Sequence, residues 1–532
     1  MAERPTFGID LGTTYSCVAH LDEFGKPVAL PNSMGEYTTP SVVYFEDSAG
    51  VVVGKPAKNE LNREPERVVQ YIKRHIGEPD FFIDVEGRKY YPAQISSLIL
   101  SALVDDALVA LDIEPPASGP IADVVITVPA YFGGAEREET RKAGELARLN
   151  VLSIVNEPTA AAIAYGLLNK GGERTVLVYD LGGGTFDVTI ISVSAAEIRA
   201  VSTGGDRHLG GADWDAKLVD LFLEKFEEQC PDAPDPRTDT EAAGALVLTA
   251  EAAKRDLSAR AKYGTSVTAH TSRAKFDITR EEYEELTEDL VERTLHNTES
   301  VIDAAAAKGV TSIDEVVLVG GMSRTPIIAA RLAERLRVRF PGLADPKLSD
   351  PDQIVAKGAA LFAASKVAES YDGSSGSGVP TREALLGGKV PKIINITSRG
   401  YGLRTYRDPK DQEGYISWQI RPNDALPVEH RDTYRTLFPH QTEVDITLYE
   451  SATDELNETV AVNKELAKAV LSGFPPNQPA GQPLEVTFSL GDESILRVHA
   501  VGPTGKDLHV EVKIAGAAPA AELAKPLPRI VK

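Results

Sequence analysis

The 532-residue sequence predicts an α/β domain with layered sheets, followed by a smaller all-β sandwich. Three observations carry this expectation. Up to about residue 370, short apolar runs alternate with helical patterns, as layered α/β domains require. The Gly/Ser-rich stretch from Tyr371 to Gly378 then breaks the chain and has the composition of a flexible loop. After about Asn395 the apolar spacing becomes strict alternation, the period of a strand with one face buried.

Taken along the chain, Ile121 to Val128 and Val316 to Val319 are apolar runs ending in Pro or Gly, as buried strands do. Helical spacing with charged outer faces predicts helices over Thr140 to Leu149 and Glu281 to Lys308. In the second part, Val444, Ile446 and Leu448 share one face, as do Leu484, Val486, Phe488 and Leu490, and then Leu508, Val510, Val512 and Ile514. Gly491-Asp492 and Thr504-Gly505 supply turns. The expected divisions are 1–378 for the α/β domain, 379–396 for a linker, 397–515 for the sandwich and 516–532 for a short flexible tail.

Composition excludes more than it identifies. With 56 basic and 79 acidic residues the net charge is −23, which repels phosphate backbones, so nucleic acid is not an expected partner. The two cysteines, Cys17 and Cys230, form no CxxC pair, so neither a disulfide framework nor a structural zinc site is expected. Cys17 lies in an apolar strand and is expected to be buried. No signal segment opens the chain, and no apolar run approaches the ~20 residues of a membrane span. A reducing, cytoplasmic setting without membrane contact is expected.

The most telling feature is a near-repeat. Phe7-Gly8-Ile9-Asp10-Leu11-Gly12-Thr13-Thr14 resembles Val178-Tyr179-Asp180-Leu181-Gly182-Gly183-Gly184-Thr185. Each has an apolar strand delivering an aspartate, then a Gly/Thr turn, then a second apolar strand. Glycines let backbone N–H groups surround a phosphate, and threonine hydroxyls add donors. An aspartate at the strand end suits Mg²⁺ held through its waters. One such turn is an ordinary hairpin; two facing copies would grip a polyphosphate from both sides. No GxxxxGK[ST] occurs, because Gly25-Lys26, Gly54-Lys55, Gly388-Lys389 and Gly505-Lys506 are not followed by Ser or Thr. A third glycine turn, Gly320-Gly321-Met322-Ser323-Arg324, follows the strand at Val316 to Val319. Glu251, Lys254, Arg255 and Ser258 fall on one helix face, either a solvated charged face or part of a site.

With these residues in view, the sequence resembles the DnaK-type, seventy-kilodalton heat-shock chaperones, whose ATPase domain shares the actin and sugar-kinase fold. The matching motifs are GIDLGTTYSCV from Gly8, VPAYF from Val128, NEPTAAAIAYGL from Asn156, YDLGGGTFDV from Tyr179, HLGGADWD from His208 and LVGG from Leu318. Fainter matches in the second domain are SGFPP from Ser472 and LEVTFSL from Leu484.

The resemblance implies an actin-like ATPase domain with ATP/ADP and Mg²⁺, and a β-sandwich that binds unfolded or hydrophobic polypeptide segments. By motif, Asp10 and Asp180 would hold the hydrated Mg²⁺, and Thr13, Thr14 and Thr185 would touch phosphates. Lys73 would stabilise charge at the transferred phosphate, with Glu157 and Asp187 near the attacking water. Lys254, Arg255, Ser258 and Glu251 would clamp the adenosine, facing Gly320, Gly321, Arg324 and Asp352. Gly12, Tyr15, Gly182, Gly183, Gly184, Gly210 and Gly211 complete the implied nucleotide set. Pro129 and Arg137 would relay nucleotide state to the linker at Ile393, Ile394 and Asn395. Leu403, Tyr406, Tyr434, Leu437, Val444 and Ile446 align with a peptide cradle. Val444 and Ile446 fit a sandwich core equally well, whereas Tyr406 and Leu437, at loops, fit an arch over a peptide.

Four departures qualify the resemblance. Asn395 stands where the family has an aspartate, and the loop from Tyr371 to Val390 is longer than usual. Ser153 replaces an arginine that engages J-domain co-chaperones, so a J-protein and an exchange factor are implied partners without that contact. The chain also ends soon after the last strand, so no helical lid is expected and bound peptide should exchange fast. Besides an ATP-driven chaperone, a non-cycling holdase or exchange-factor-like module remains open. A small-molecule kinase and an actin-like filament protein have less in their favour.

Overall fold

The computed structural model describes residues 4–168, 172–194, 196–371, 392–453, 455–491, 495–513 and 519–531. The apolar runs form two six-stranded sheets. In the first, Leu149–Asn156, Ala122–Val128, Thr6–Asp10, Tyr15–Leu21 and Pro27–Ala29 lie in that order, and Thr39–Pro40 pairs with Tyr15–Leu21. In the second the order is Lys347–Leu348, Glu315–Val319, Arg174–Leu181, Phe186–Val193, Glu197–Asp206 and Lys392–Ile394. The near-repeat is thus the central antiparallel hairpin of each sheet.

Two helices, Glu157–Leu168 and Ile354–Tyr371, separate the sheets and share one core with Val125, Val155, Val178 and Ile191. They touch backbone to backbone, since a Cβ on Gly358 would lie 1.7 Å from the Ala160 carbonyl oxygen. Only glycine permits that approach, and it draws the two sheets together around a cleft.

Helix boundaries depart from expectation for local reasons. The helix placed at Thr140 to Leu149 spans Gly134–Leu146, and Leu149 begins a strand. The long helix from Glu281 divides into Arg280–Leu286 and Glu288–Ala307, because the buried Thr287 hydroxyl donates back to the Tyr283 carbonyl and its backbone leaves the helical region. One further expectation needs correcting. The helix Pro92–Ala110 is long and apolar enough to cross a membrane by length and composition. It is mostly buried against the first sheet, so its apolarity serves the domain core.

The second domain is a sandwich of two four-stranded antiparallel sheets. One orders Tyr415–Ile420, Tyr401–Thr405, Glu443–Glu450 and Lys464–Ser472; the other orders Val428–Arg435, Pro483–Leu490, Ile495–Val501 and Asp507–Lys513. The predicted alternation is observed: Ile446, Leu448, Leu484, Val486, Phe488 and Leu490 point into one core. Ile514 and the Asp492 half of its expected turn lie outside the described residues, as does most of the Gly/Ser loop.

Linker and tail both differ from free connectors. Residues 379–391 of the expected linker lie outside the described residues, but Lys392–Ile394 adds a parallel strand beside Glu197–Arg199. The tail, expected to be flexible, docks on the first domain from residue 519 onward. Leu523 enters the core around the first sheet, and Gln94 Nε2 donates to the Glu522 carbonyl at 3.0 Å. Arg529–Ile530 then pairs in parallel with Gly50–Val51. Leucines and an open sheet edge overrode a disorder-like Ala/Pro composition.

Candidate nucleotide site

The two turns meet across the cleft. A Cβ on Gly183 would fall 1.9 Å from Thr14 Oγ1, and one on Gly184 would fall 2.2 Å from Thr13 Cγ2. The threonines of the first turn therefore occupy the space that glycines leave in the second. Beside them opens a cavity of about 390 Å³, lined by both turns, the third glycine turn and the helix Thr240–Ala259.

At the inner end, Lys73 and Glu157 form a buried ion pair, Nζ to Oε1, at 2.5 Å. Three more buried or part-buried carboxylates, Asp10, Asp180 and Asp187, surround them. Burial, with Glu157 adding to it and Lys73 pulling against it, pushes Asp10 up to about 7. Burial and the neighbouring acids raise Asp180 and Asp187 well above the ordinary carboxylate range. One ammonium among four carboxylates leaves negative charge that a bound cation would balance. These hard oxygen donors fit Mg²⁺. Among the described residues no three of their oxygens lie mutually within 4.8 Å, which suits an ion held largely through its waters.

Lys73 reaches this point from the short turn Ile72–His75, entered through Tyr71 with left-handed backbone, φ 58°. Its neighbour Arg74 donates to the Gly184 carbonyl at 2.7 and 2.9 Å and to Asp213 at 2.6 Å. At the outer end, Tyr15 donates to Glu251 at 2.9 Å, and Lys58 bonds both Tyr15 and Glu251. Lys254 donates to Asp215 at 2.7 Å, while Arg324 pairs with Asp352 on the opposite wall.

Most residues named from sequence come together here. Asp10, Gly12, Thr13, Thr14, Tyr15, Lys73, Glu157, Asp180, Gly182, Gly183 and Thr185 line the cavity. So do Glu251, Lys254, Arg255, Ser258, Gly320, Gly321, Arg324 and Asp352. Four expected residues stand behind the wall. Gly184 packs on Gly210, and the Gly211 amide donates to the Gly182 carbonyl at 3.0 Å, so these residues brace the turn. Asp187 is held by the Ala130 amide at 2.9 Å. Sequence inspection missed Lys58, Tyr71, Arg74 and Asp215. Nothing near Lys58 marks it, whereas Asp215 closes the matched motif HLGGADWD but has its partner Lys254 remote in the chain.

The sandwich residues divide differently. Leu403 and Ile446 are 4% and 1% exposed and pack in the sandwich core, the alternative held open for Ile446. Val444 and Tyr434 pack half-buried at its margin; the Tyr434 hydroxyl donates to Ser417 at 2.9 Å. Tyr406 is exposed and Leu437 half-buried, both beyond strand ends.

Between the domains the contacts are specific. Phe132 O accepts from Ser398 Oγ at 2.8 Å and from Arg137 Nε at 3.0 Å, and Arg137 also bonds Asn156, the residue before Glu157. Buried Glu450 accepts from the Gly134 amide and from Tyr401. Asn395 Oδ1 is buried without a hydrogen-bond partner, beside a cavity of about 20 Å³ that Arg137 and Asn156 also line.

The fold and cleft define a two-sheet nucleotide-binding domain with an attached β-sandwich. The sequence profile described as Hsp70 protein matches residues 6–526, and the chain belongs to that family. The chaperone protein DnaK of Thermotoga petrophila is 37% identical over 510 residues, covering 94% of this chain and 79% of the relative. That of Thermosipho africanus is 36% identical over 509 residues, covering 94% and 78%.

Proposed function

We infer that this chain is an ATP-hydrolysing chaperone of the Hsp70 type, with Mg²⁺-nucleotide seated between the two facing turns. The single lysine among four carboxylates at the ends of those turns carries this reading. Bound Mg²⁺ would neutralise charge on the phosphate oxygens. Asp10 and Asp180 would hold its waters, and Thr13, Thr14 and Thr185 would bond phosphate oxygens. Lys73 would face the charge developing on the transferred phosphate, while Glu157 orients the attacking water. Phosphoryl transfer to water asks for positioning and electrostatics more than covalent help, and these residues provide both. Lys254, Arg255 and Ser258 would border the adenosine opposite Arg324.

We place the coupling between nucleotide and sandwich on one contact route. Asp187 holds Ala130, next to Pro129; two residues on, Phe132 bonds Ser398 at the sandwich entrance. Arg137 ties the same carbonyl to Asn156 beside Glu157. The docked linker strand, with Ile394 buried, forms the second connection. A change at either acid would thus reach the sandwich through few intermediates.

Client segments, on this proposal, are extended apolar peptides bound near Tyr406, Leu437, Tyr434 and Val444. Beyond the last sandwich strand, the short helix Ala520–Leu523 packs through Leu523 on the ATPase domain rather than over the sandwich. Ser153 lies half-exposed on an edge strand, where a J-domain partner would meet no arginine. An exchange factor acting on the cleft fits the same cycle. The free cysteines suit a reducing, cytoplasmic setting.

The test is release of a fluorescent apolar peptide with and without excess Mg-ATP, beside phosphate release. ATP should accelerate peptide release. Release indifferent to ATP would replace the coupled machine with a holdase, and Asn395→Asp would then be the first variant to try.

A further inference from the structure

Far from the cleft, the last two sandwich strands carry three polar side chains that nucleotide hydrolysis does not use. His499 on Ile495–Val501 sits directly across from His509 on Asp507–Lys513, and Asp507 is two residues from His509 on the same face. Leu496, Val498 and Ala500 fill the core side of the first strand, so the alternation sends His499 outward. The two imidazoles stack at 4.1 Å with 8° between their planes. Both direct Nε2 toward Asp507 Oδ2, His509 at 3.1 Å and His499 at 3.5 Å.

We propose that His499, Asp507 and His509 form a binding site for a borderline divalent transition ion, with Zn²⁺ the best match. Bonds of about 2.05 Å at tetrahedral angles set donor atoms about 3.3 Å apart. The observed 3.1 and 3.5 Å bracket that value, and the three donors all lie within 4.8 Å of one another. A hydrogen-bonded surface triad explains His509 better than His499. His499 Nε2 is shielded from solvent, and its 3.5 Å approach to Asp507 Oδ2 is at best a long, poorly aligned hydrogen bond. Opening the stack by rotating the two partly exposed rings would bring both nitrogens onto a shared ion. Imidazole donors favour zinc, copper and nickel over Mg²⁺ and Ca²⁺, which separates this site chemically from the acidic cleft.

The expectation of no structural zinc site rested on cysteines, and this set uses none. Three protein ligands leave a fourth position open to water, as in exchangeable or catalytic zinc sites. A bound ion would pin the edge strand Asp507–Lys513, which leads into the docked tail, to its neighbour.

The test uses the full, untagged chain after chelator treatment. Isothermal titration with Zn²⁺ in the presence of excess Mg²⁺ should show one equivalent bound, with a dissociation constant on the order of 10 µM for an open three-ligand site. Co²⁺ should give the intense visible absorption of a tetrahedral ion with nitrogen ligands. The His499→Ala/His509→Ala chain, checked for folding by circular dichroism, should bind at least tenfold more weakly and lose the Co²⁺ band. Its ATP turnover with Mg²⁺ and without Zn²⁺ should be unchanged. Absence of stoichiometric Zn²⁺ binding to the parent chain would overturn the proposal. So would binding that survives in the double variant, since the ion would then lie elsewhere. Asp507→Asn should weaken binding separately, and failure to do so would remove the carboxylate from the site.

Discussion

The two central hairpins share a turn and differ across it. In the first, Asp10 stands opposite Cys17; in the second, Asp180 stands opposite Asp187. The first hairpin thus brings one acid and two threonines, and the second brings two acids and three glycines. Each half also accepts a segment from elsewhere in the chain. The half built on the first sheet takes the tail at Gly50–Val51, and the second sheet takes the linker at Glu197–Arg199. One duplicated turn therefore serves two duties. The first hairpin fills the shared space with threonine side chains, and the second supplies the extra acid, whose Oδ1 accepts from the Ala130 amide on the path toward the sandwich.

The sharpest way to break this comparison is at the cross-strand position. Asp187→Asn should lower ATP turnover by about 10²-fold or more, as loss of a preorganised charge at a transition state does. Cys17→Ala should leave turnover near the parent value. Single-turnover phosphate release decides, and similar effects of the two variants would erase the distinction. Next in size is the tail. Leu523→Ala should cost its docking about 2 kcal/mol, seen as roughly 30-fold faster hydrogen exchange at the Arg529 and Val531 amides, which donate to Ala49 and Val51. Unchanged protection would mean that the strand pairs without its apolar anchor.

The turns themselves offer a smaller effect. Gly183→Ala should weaken ATP binding about tenfold by colliding with Thr14, and Thr14→Gly in the same chain should recover part of it. Additive losses in equilibrium binding would show that the turns do not touch in solution. At the linker, Ile394→Asp places a charge at a buried sheet edge and should abolish ATP-stimulated peptide release while ATP affinity holds. Stimulation that persists would assign the coupling to the Phe132–Ser398 contact alone.

The smallest expected effect is in pH. Asp10, raised to about 7, keeps its proton below that pH when no cation is bound. Its contribution to the metal-free fold is therefore fully present below the ordinary aspartate range and is lost as pH rises through about 7. Mg²⁺-nucleotide must displace the proton, so binding should weaken and release protons at pH 6 but not at pH 8.5. Titration calorimetry in buffers of different ionisation enthalpy measures this, and equal proton release at both pH values would contradict it.

Legibility in the sequence followed the range of the interactions involved. Asp10, Asp180 and their turns stood out because strand, acid and glycine are adjacent in the chain. The sandwich alternation was visible because period two is local. Lys58 and Glu251, 193 positions apart, could not be paired by inspection, nor could Asp215 be matched to Lys254. Leu403 and Ile446 show the opposite difficulty. An apolar residue on a strand looks the same whether it faces a peptide or a core, and only packing distinguishes them.

By itself the sequence determined the two-domain order, the duplicated phosphate turns and the acids at the strand ends, because each depends on neighbours along the chain. The tertiary structure alone decided that Arg74 would brace the second turn at the Gly184 carbonyl and that Lys58 would meet Glu251. It also decided that Ile394 and Leu523 would be buried in the first domain, and that two histidines and an aspartate would meet on the sandwich. Each of those outcomes depends on which surfaces come together in space, and free energy of burial and pairing, rather than local propensity, selects them.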